Sequence, residues 1–561
     1  MVYSIRRRTL LQIGGAAVAA PYLWLPARAD APTWATQTVE PFLDVETASG
    51  RIRGGHSRGA LAFKGIPYAG PVSGKNRFKA PPPVTPWTGV RDATRLGPPA
   101  MQAPGGTYGE HEPAYSEDCL VLNVWTPAVK DGGKRPVMVY LHGGGFTAGS
   151  GGQNIQDGSH LAATYDVVVV AINHRLGIFG YLYLGELLGS DYAQSGNAGQ
   201  LDIVAALQWI KQNIATFGGD PGNVMVFGES GGGAKTCAVM AMPAAQGLFH
   251  KAAVQSGPML RGISKESSTE TARRIMAGLG ITDPAKLIDV PGDKLIAIQM
   301  QGPKGPLGTA TPAYAAKHPS SAAGGGGLGQ DVPGNCGPVV DGVALPANPF
   351  DPAAPAMSAN VPLLIGNLRD EATFFMRDNP AFFKMDDASL MALAHQQLGD
   401  TADRILALYK KTRPTASLPE LGIAIMTAMS FGNGTVKIAD LKSQQPAPVY
   451  RYRYDYQSNV PIKGTDWTFR AGHASDISLV FLNQEILDLQ GNGPGLAQAA
   501  QAMSSYFASF ARNAIPAAVG QPQWPRYDTA RRATMLINSE CQVADDPDGE
   551  ERAFWQSFKG A

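Results

Sequence analysis

The chain has 561 residues, 44% hydrophobic and 17% charged, with 66 Gly, 43 Pro and four Cys. That balance excludes a disordered chain, which needs low hydrophobicity and high net charge, and a disulfide scaffold, which needs far denser cysteine. With 47 basic against 46 acidic side chains there is no basic footprint for nucleic acid.

In chain order, the first feature is an address. Arg6, Arg7 and Arg8 precede an apolar run from Leu10 to Leu25, and Ala27-Arg28-Ala29 closes it as a small-x-small cleavage pattern. Residues 1–29 are expected to be a signal peptide cleaved near Ala29. Arg7-Arg8-Thr9-Leu10-Leu11 resembles the twin-arginine form, so the precursor is expected to use the twin-arginine export machinery of a bacterium. The run is shorter than the ~20 apolar residues of a spanning helix. The mature chain, residues 30–561, is expected to be one domain without a stable membrane anchor, periplasmic or secreted.

Six Val- and Ile-rich runs read as strands buried on both faces: Val137–Leu141, Val167–Ile172, Val224–Phe227, Ala252–Gln255, Pro362–Ile365 and Val449–Tyr454. Helical stretches lie between them. The clearest is Ala198–Phe217, closed by Gly218-Gly219-Asp220-Pro221. Alternation of strands and helices predicts an α/β sheet. Residues 319–338, rich in Gly, Ser and Ala, read as a loop, either over a site or a plain insertion.

The pattern G-x-S-x-G occurs at Ser57 and at Ser230. Nucleophilic chemistry needs the serine on a sharp turn between a buried strand and a helix. Ser57 sits among Arg51, Arg53, His56 and Arg58 with no helix after it, so it reads as a hairpin residue. Ser230 follows Asn223–Phe227 and precedes the helix former Ala234–Met242, and is the candidate nucleophile. Lys235-Thr236 after a glycine-rich stretch suggests a phosphate loop. That motif requires Gly where this chain has Ala234 and Glu229.

A serine attacking a carbonyl also needs N–H donors for the oxyanion. Leu141-His142-Gly143-Gly144-Gly145-Phe146 follows a buried strand and has the HGGG form of esterases and lipases. Gly144, Gly145 and Gly231 are the expected donors. In the chain order of such hydrolases, acid and base follow the serine. Of the histidines well beyond Ser230, His318 starts the glycine-rich loop and His395 lies in a helical stretch. His473, in a loop after an apolar strand region, is the best base. The acid is Asp370 or Glu371, just past the strand Pro362–Ile365. Spacing does not separate them, and the alternative reading is that one or both simply pair with Arg369.

Together these segments resemble the type-B carboxylesterase family, the cholinesterase-like branch of the α/β-hydrolase fold. Phe63-Lys64-Gly65-Ile66-Pro67-Tyr68-Ala69 and Ser116-Glu117-Asp118-Cys119-Leu120-Val121-Leu122-Asn123-Val124 look like its two N-terminal signatures. Phe217–Pro221 and Gln255-Ser256-Gly257 also match. The resemblance implies a mostly parallel central sheet flanked by helices, with large loop and helical insertions around the site. It selects Glu371 over Asp370, supports His473, and implies that Ser256 and Asp476 stand behind that histidine. It further implies a serine carboxylesterase acting on small to medium organic esters, with no metal or organic cofactor. The same triad also serves amide, thioester and carbamate hydrolysis. Relatives that act as adhesion ectodomains have typically lost it, whereas this chain keeps all three residues.

The departures are informative. The residues Pro99-Ala100-Met101-Gln102 lack the cysteine that often pairs with the one in the second signature, so Cys119 is expected to be a free, buried thiol. Cys237 is expected in the core, and Cys336 and Cys541 are left open to pairing. Ala100–Tyr115 contains no tryptophan for a quaternary ammonium, which disfavours choline esters. Glu117 and Asp118 are expected to partner arginines such as Arg175. The usual alanine after the nucleophile is Gly231, expected to keep the N–H donor and to loosen it.

Overall fold

Thirteen strands form the main sheet. The computed structural model describes residues 42–557 except 105–113, 309–313, 315–330 and 487–488. The expected signal peptide, His318 and residues 319–330 of the glycine-rich loop lie outside the described residues. In chain order the strands are β1 (Phe42–Thr47), β2 (Gly50–Ser57), β3 (Ala60–Pro67), β4 (Val90–Asp92), β5 (Val121–Thr126), β6 (Arg135–Leu141), β7 (Val168–Ile172), β8 (Gly219–Glu229), β9 (Lys251–Gln255), β10 (Leu363–Leu368), β11 (Val449–Tyr454), β12 (Ala533–Ile537) and β13 (Gln542–Asp545). Their spatial order is β1-β2-β3-β5-β7-β6-β8-β9-β10-β11-β12-β13, with β4 beside β2. From β7 to β12 every neighbouring pair is parallel, while β1, β2, β3, β5 and β13 join antiparallel. This is the mostly parallel, helix-flanked sheet expected of an α/β-hydrolase.

The central strands lack polar alternation because both faces are covered. Val137, Val139, Val168, Val170, Val224, Val226 and Val254 pack on one side against Ile203, Leu207 and Ile210 of helix α1 (Ala198–Asn213). Their chain neighbours Met138, Tyr140, Val169, Met225 and Phe227 pack on the other against Met503, Phe507 and Phe510 of α6 (Leu496–Asn513). Each such side chain, fully buried, contributes about 1.5–3 kcal/mol. Between α1 and α6 the helices used below are α2 (Gly231–Met240), α3 (Asp387–Leu398), α4 (Leu418–Thr427) and α5 (Asn433–Lys442). A π-turn, Ala428–Gly432, joins α4 to α5.

All six expected strands and the helix are present, α1 tightening into a 3₁₀ turn over Ile214–Phe217 and stopping at Gly218 in the left-handed region, φ 72°. Ser57 ends β2 in a hairpin whose turn residues Arg58 and Gly59 both have positive φ, as a two-residue turn requires. His395 is exposed on α3, 3.2 Å from Asp403. One expectation is corrected. Arg175 is not a partner of Glu117 or Asp118, because the fold buries it against Asp202 at 2.6 Å. Glu117 pairs with Arg77 instead, and Asp118 accepts from the N–H groups of Val72 and Ser73. All four cysteines are free, with Cys119 and Cys237 in the core; Cys336 and Cys541 are unpaired. No helix among the described residues is long and apolar enough to cross a membrane.

Candidate active site

Parallel register brings the candidate residues to one edge. Leu141 stands beside Gly228, Glu229 beside Gln255, Gly366 beside Gln255, and Leu368 beside Tyr454. The chain segments leaving the carboxyl ends of β6, β8, β9 and β10 therefore emerge side by side. They carry the HGGG loop, Ser230, Ser256 and Glu371.

Ser230 connects β8 directly to α2 with φ 56° and ψ −121°. A non-glycine residue there costs on the order of 1–3 kcal/mol and persists only where the surroundings impose it. Here the Ser230 N–H is held by the Gln255 carbonyl at 2.8 Å, and Ala234 N–H by the Ser230 carbonyl at 3.1 Å. Ser256 and Ala474, close by in sequence to the other site residues, also have positive φ, 46° and 67°.

The HGGG loop turns through Gly144 and Gly145 with φ 85° and 61°, a path that favours glycine. Among the described residues no backbone or side-chain group accepts from the N–H of Gly144, Gly145 or Gly231. A Cβ on Gly143 would stand 2.9 Å from Glu229 Oε2 and 3.5 Å from Ser230 Cβ, so the loop lies directly over the nucleophile turn. Gly231 packs hard against the loop: a Cβ there would overlap the Gly145 carbonyl. The smaller residue thus brings loop and helix closer together.

His473 is buried. Its Nδ1 is 2.5 Å from Glu371 Oε2, and its N–H donates to the Glu371 carbonyl at 3.3 Å. The other carboxylate oxygen of Glu371 accepts from Ser256 Oγ at 2.6 Å and from Leu368 N–H at 2.7 Å. Asp370 takes a different role, its carboxylate accepting from Gln457 and from Ala471 N–H. Asp476 does not touch the imidazole. Its Oδ2 accepts from Gln255 Nε2 at 2.8 Å and Tyr452 Oη at 3.2 Å.

The imidazole's second nitrogen meets a group that motif reading passes over. Glu229 Oε1 lies 3.2 Å from His473 Nε2. Neither Glu229 oxygen has a hydrogen-bond partner among the described residues. Among the described residues no hydrogen bond joins the Ser230 hydroxyl to the imidazole, whose two nitrogens face Glu371 and Glu229. Burial pulls the His473 imidazole down, but the Glu229 and Glu371 carboxylates outweigh it and push it up to about 9. Burial pushes Glu229 up to about 8 and Asp476 up to about 6.

Three phenylalanines wall the imidazole: Phe431 at 4.7 Å, Phe375 at 5.0 Å and Phe374 at 5.8 Å between ring centroids. Phe375 is 51% exposed. Phe374 and Phe375 sit three and four residues past Glu371 and were findable from that spacing. Phe431 comes from the π-turn and carries no sequence signal. Glu229 had one: it is a charged residue just past the apolar buried run Val224–Phe227.

A family model described as the carboxylesterase family matches residues 41–555. The para-nitrobenzyl esterase of Bacillus subtilis (strain 168) is 34% identical over 526 residues, covering 92% of this chain and 99% of that protein. The liver carboxylesterase of Sus scrofa is 31% identical, covering 96% of each. Among solved structures, a carboxylesterase of Geobacillus stearothermophilus aligns with TM-score 0.76 at 37% identity, over 91% of this chain and 100% of that one.

Proposed function

The chain belongs to the carboxylesterase family, a family of carboxylic-ester hydrolases, and from that membership we propose that it cleaves small to medium organic esters through an acyl-enzyme on Ser230. Ser230 Oγ attacks the ester carbonyl carbon while His473 Nε2, the nitrogen not engaged by Glu371, takes the hydroxyl proton. Glu371 holds the imidazole through Nδ1 and stabilises the imidazolium. The carbonyl oxygen, now negative, is met by the N–H groups of Gly144, Gly145 and Gly231. Collapse of the tetrahedral adduct breaks the bond to the alkoxy oxygen, which leaves as the alcohol with the proton from His473. Water, deprotonated by the same nitrogen, then attacks the acyl carbon and releases the acid and Ser230. The half-exposed face of Phe375 beside the imidazole favours an apolar group next to the scissile bond.

The observation that carries the reading is the Glu371–His473 contact of 2.5 Å at the same sheet edge as a strained Ser230 and three N–H groups unengaged among the described residues. Ser230→Ala is expected to abolish turnover of p-nitrophenyl acetate and labelling by a fluorophosphonate. Turnover at the wild-type rate would refute it. The export reading rests on residues 1–29: Arg7→Lys with Arg8→Lys should leave full-length precursor in the cytoplasm, and unimpaired appearance of mature chain would overturn it.

A further inference from the structure

Lys235 has no role in the scheme above, yet its side chain is completely buried. An unpaired ammonium in such a place is costly, so its partners show what the fold uses it for. Nζ donates to the His142 carbonyl at 2.9 Å and to the Gly145 carbonyl at 2.9 Å. Those oxygens belong to the peptide groups immediately before and after the two peptides that carry the Gly144 and Gly145 N–H groups. The remaining carbonyls of the loop are also held: His142 Nδ1 lies 2.9 Å from the Gly143 oxygen, and Ala148 N–H donates to the Gly144 oxygen at 3.0 Å.

The helix is shaped for this contact. Residues 231, 232 and 235 share one face of α2, being three and four positions apart. A Cβ on Gly231 would overlap the Gly145 carbonyl, and one on Gly232 would overlap that of Leu141. Two glycines thus let the loop's carbonyls settle onto the helix, and the lysine one turn on receives two of them. The ammonium also stands 5.6 Å over the Phe146 ring. Behind the loop, His142 and His174 stack with centroids 4.7 Å apart. Burial, reinforced by Lys235, holds both imidazoles well below their ordinary value, so they stay neutral. Burial pulls Lys235 itself down to about 7, with the Glu229 carboxylate opposing that shift.

We propose that Lys235 is a positioning residue for the oxyanion loop, its ammonium clamping the two peptides that flank the donor amides so that both N–H groups stay aimed over Ser230. The proposal rests on Ser230 as the nucleophile. It is tested with Lys235→Met, which keeps the stem and removes the donors, and Lys235→Gln, which keeps two N–H donors on a shorter stem. Active sites are counted by fluorophosphonate titration, so that kcat is expressed per competent site and a folding defect does not enter. With p-nitrophenyl acetate, Lys235→Met should lose kcat and kcat/KM together, by about 10- to 100-fold, a substantial part of what one oxyanion donor is worth. KM should stay within about threefold of wild type. Affinity for an alkyl trifluoromethyl ketone, which forms a tetrahedral adduct, should fall in parallel, and Lys235→Gln should lose less. Retention of kcat within about threefold per site, or a loss confined to KM, would overturn the proposal. If Lys235→Met does not fold, Lys235→Gln is judged by the same criteria with the smaller loss. Ser230→Ala measured alongside separates the two ideas: an inactive Ser230→Ala with a normal Lys235→Met overturns the clamp alone, and an active Ser230→Ala overturns the nucleophile.

Discussion

Replacing Glu229 by glutamine should move the acid limb of the pH–rate profile to lower pH. The base must be neutral to accept the serine proton, so activity falls as pH drops through the His473 pKa. That value is held high, at about 9, by the carboxylates of Glu229 and Glu371 working against burial. Glu229 Oε1 stands 3.2 Å from Nε2. Two unit charges centred about 4 Å apart interact by about 1 kcal/mol in water and about 4 kcal/mol at the effective dielectric of protein sites. At 1.36 kcal/mol per pH unit this corresponds to about 0.7 to 3 units. Glu229 is itself pushed up to about 8, so it carries only part of its charge at neutral pH. The expected displacement is therefore about one unit, a macroscopic value belonging to the coupled pair. The assay is kcat/KM for p-nitrophenyl acetate from about pH 6 to about pH 11, which brackets the limb near 9, corrected for spontaneous hydrolysis. The imidazolium's contribution to folding follows the same sign: full below the ordinary 6.5, lost as pH rises through about 9, and smaller in the variant. An acid limb that stays put, or moves to higher pH, would refute the assignment of Glu229 as the group facing Nε2.

Further outcomes follow from contacts already described. Gly231→Ala should force the HGGG loop off the helix, because its Cβ overlaps the Gly145 carbonyl; kcat should drop at least about tenfold with little change in KM, and wild-type kcat would show that the loop yields freely. Ser256→Ala removes the hydroxyl donor from Glu371 Oε1 and, among the described residues, leaves only Leu368 N–H on that oxygen, so kcat/KM should fall about tenfold while the melting temperature changes little. Asp202→Ala leaves Arg175 charged and unpaired in the core; it should cost about 3–5 kcal/mol, read as a lower melting temperature and urea midpoint.

The central strands are readable because burial on both faces demands unbroken apolar runs, and β11 matches its expected span residue for residue. The antiparallel strands at the N-terminal end of the sheet are harder. β2 reads Gly-Arg-Ile-Arg-Gly-Gly-His-Ser, with arginines at 51 and 53 exposed and few of the usual strand formers. At the site, Ser230 and the HGGG loop are visible because strand, turn and glycine spacing constrain one another locally. The choice between Asp370 and Glu371 is not local, since it depends on which carboxylate the neighbouring loop presents to His473. Lys235 is misleading in sequence: beside threonine after glycines it suggests a phosphate loop. Its actual partners are carbonyls more than 80 residues upstream, where β6 is the parallel neighbour of β8. The Arg175–Asp202 pair is hidden for a similar reason. Its members lie on separate elements whose docking decides who meets whom.

The unpaired state of all four thiols bears on where the chain can mature. A fold that owes nothing to cross-links is equally secure in reducing and oxidising surroundings, and needs no oxidase or isomerase on either side of a membrane. Such an enzyme reaches its final shape without a thiol oxidant, and dithiothreitol should leave its thermal transition where it was.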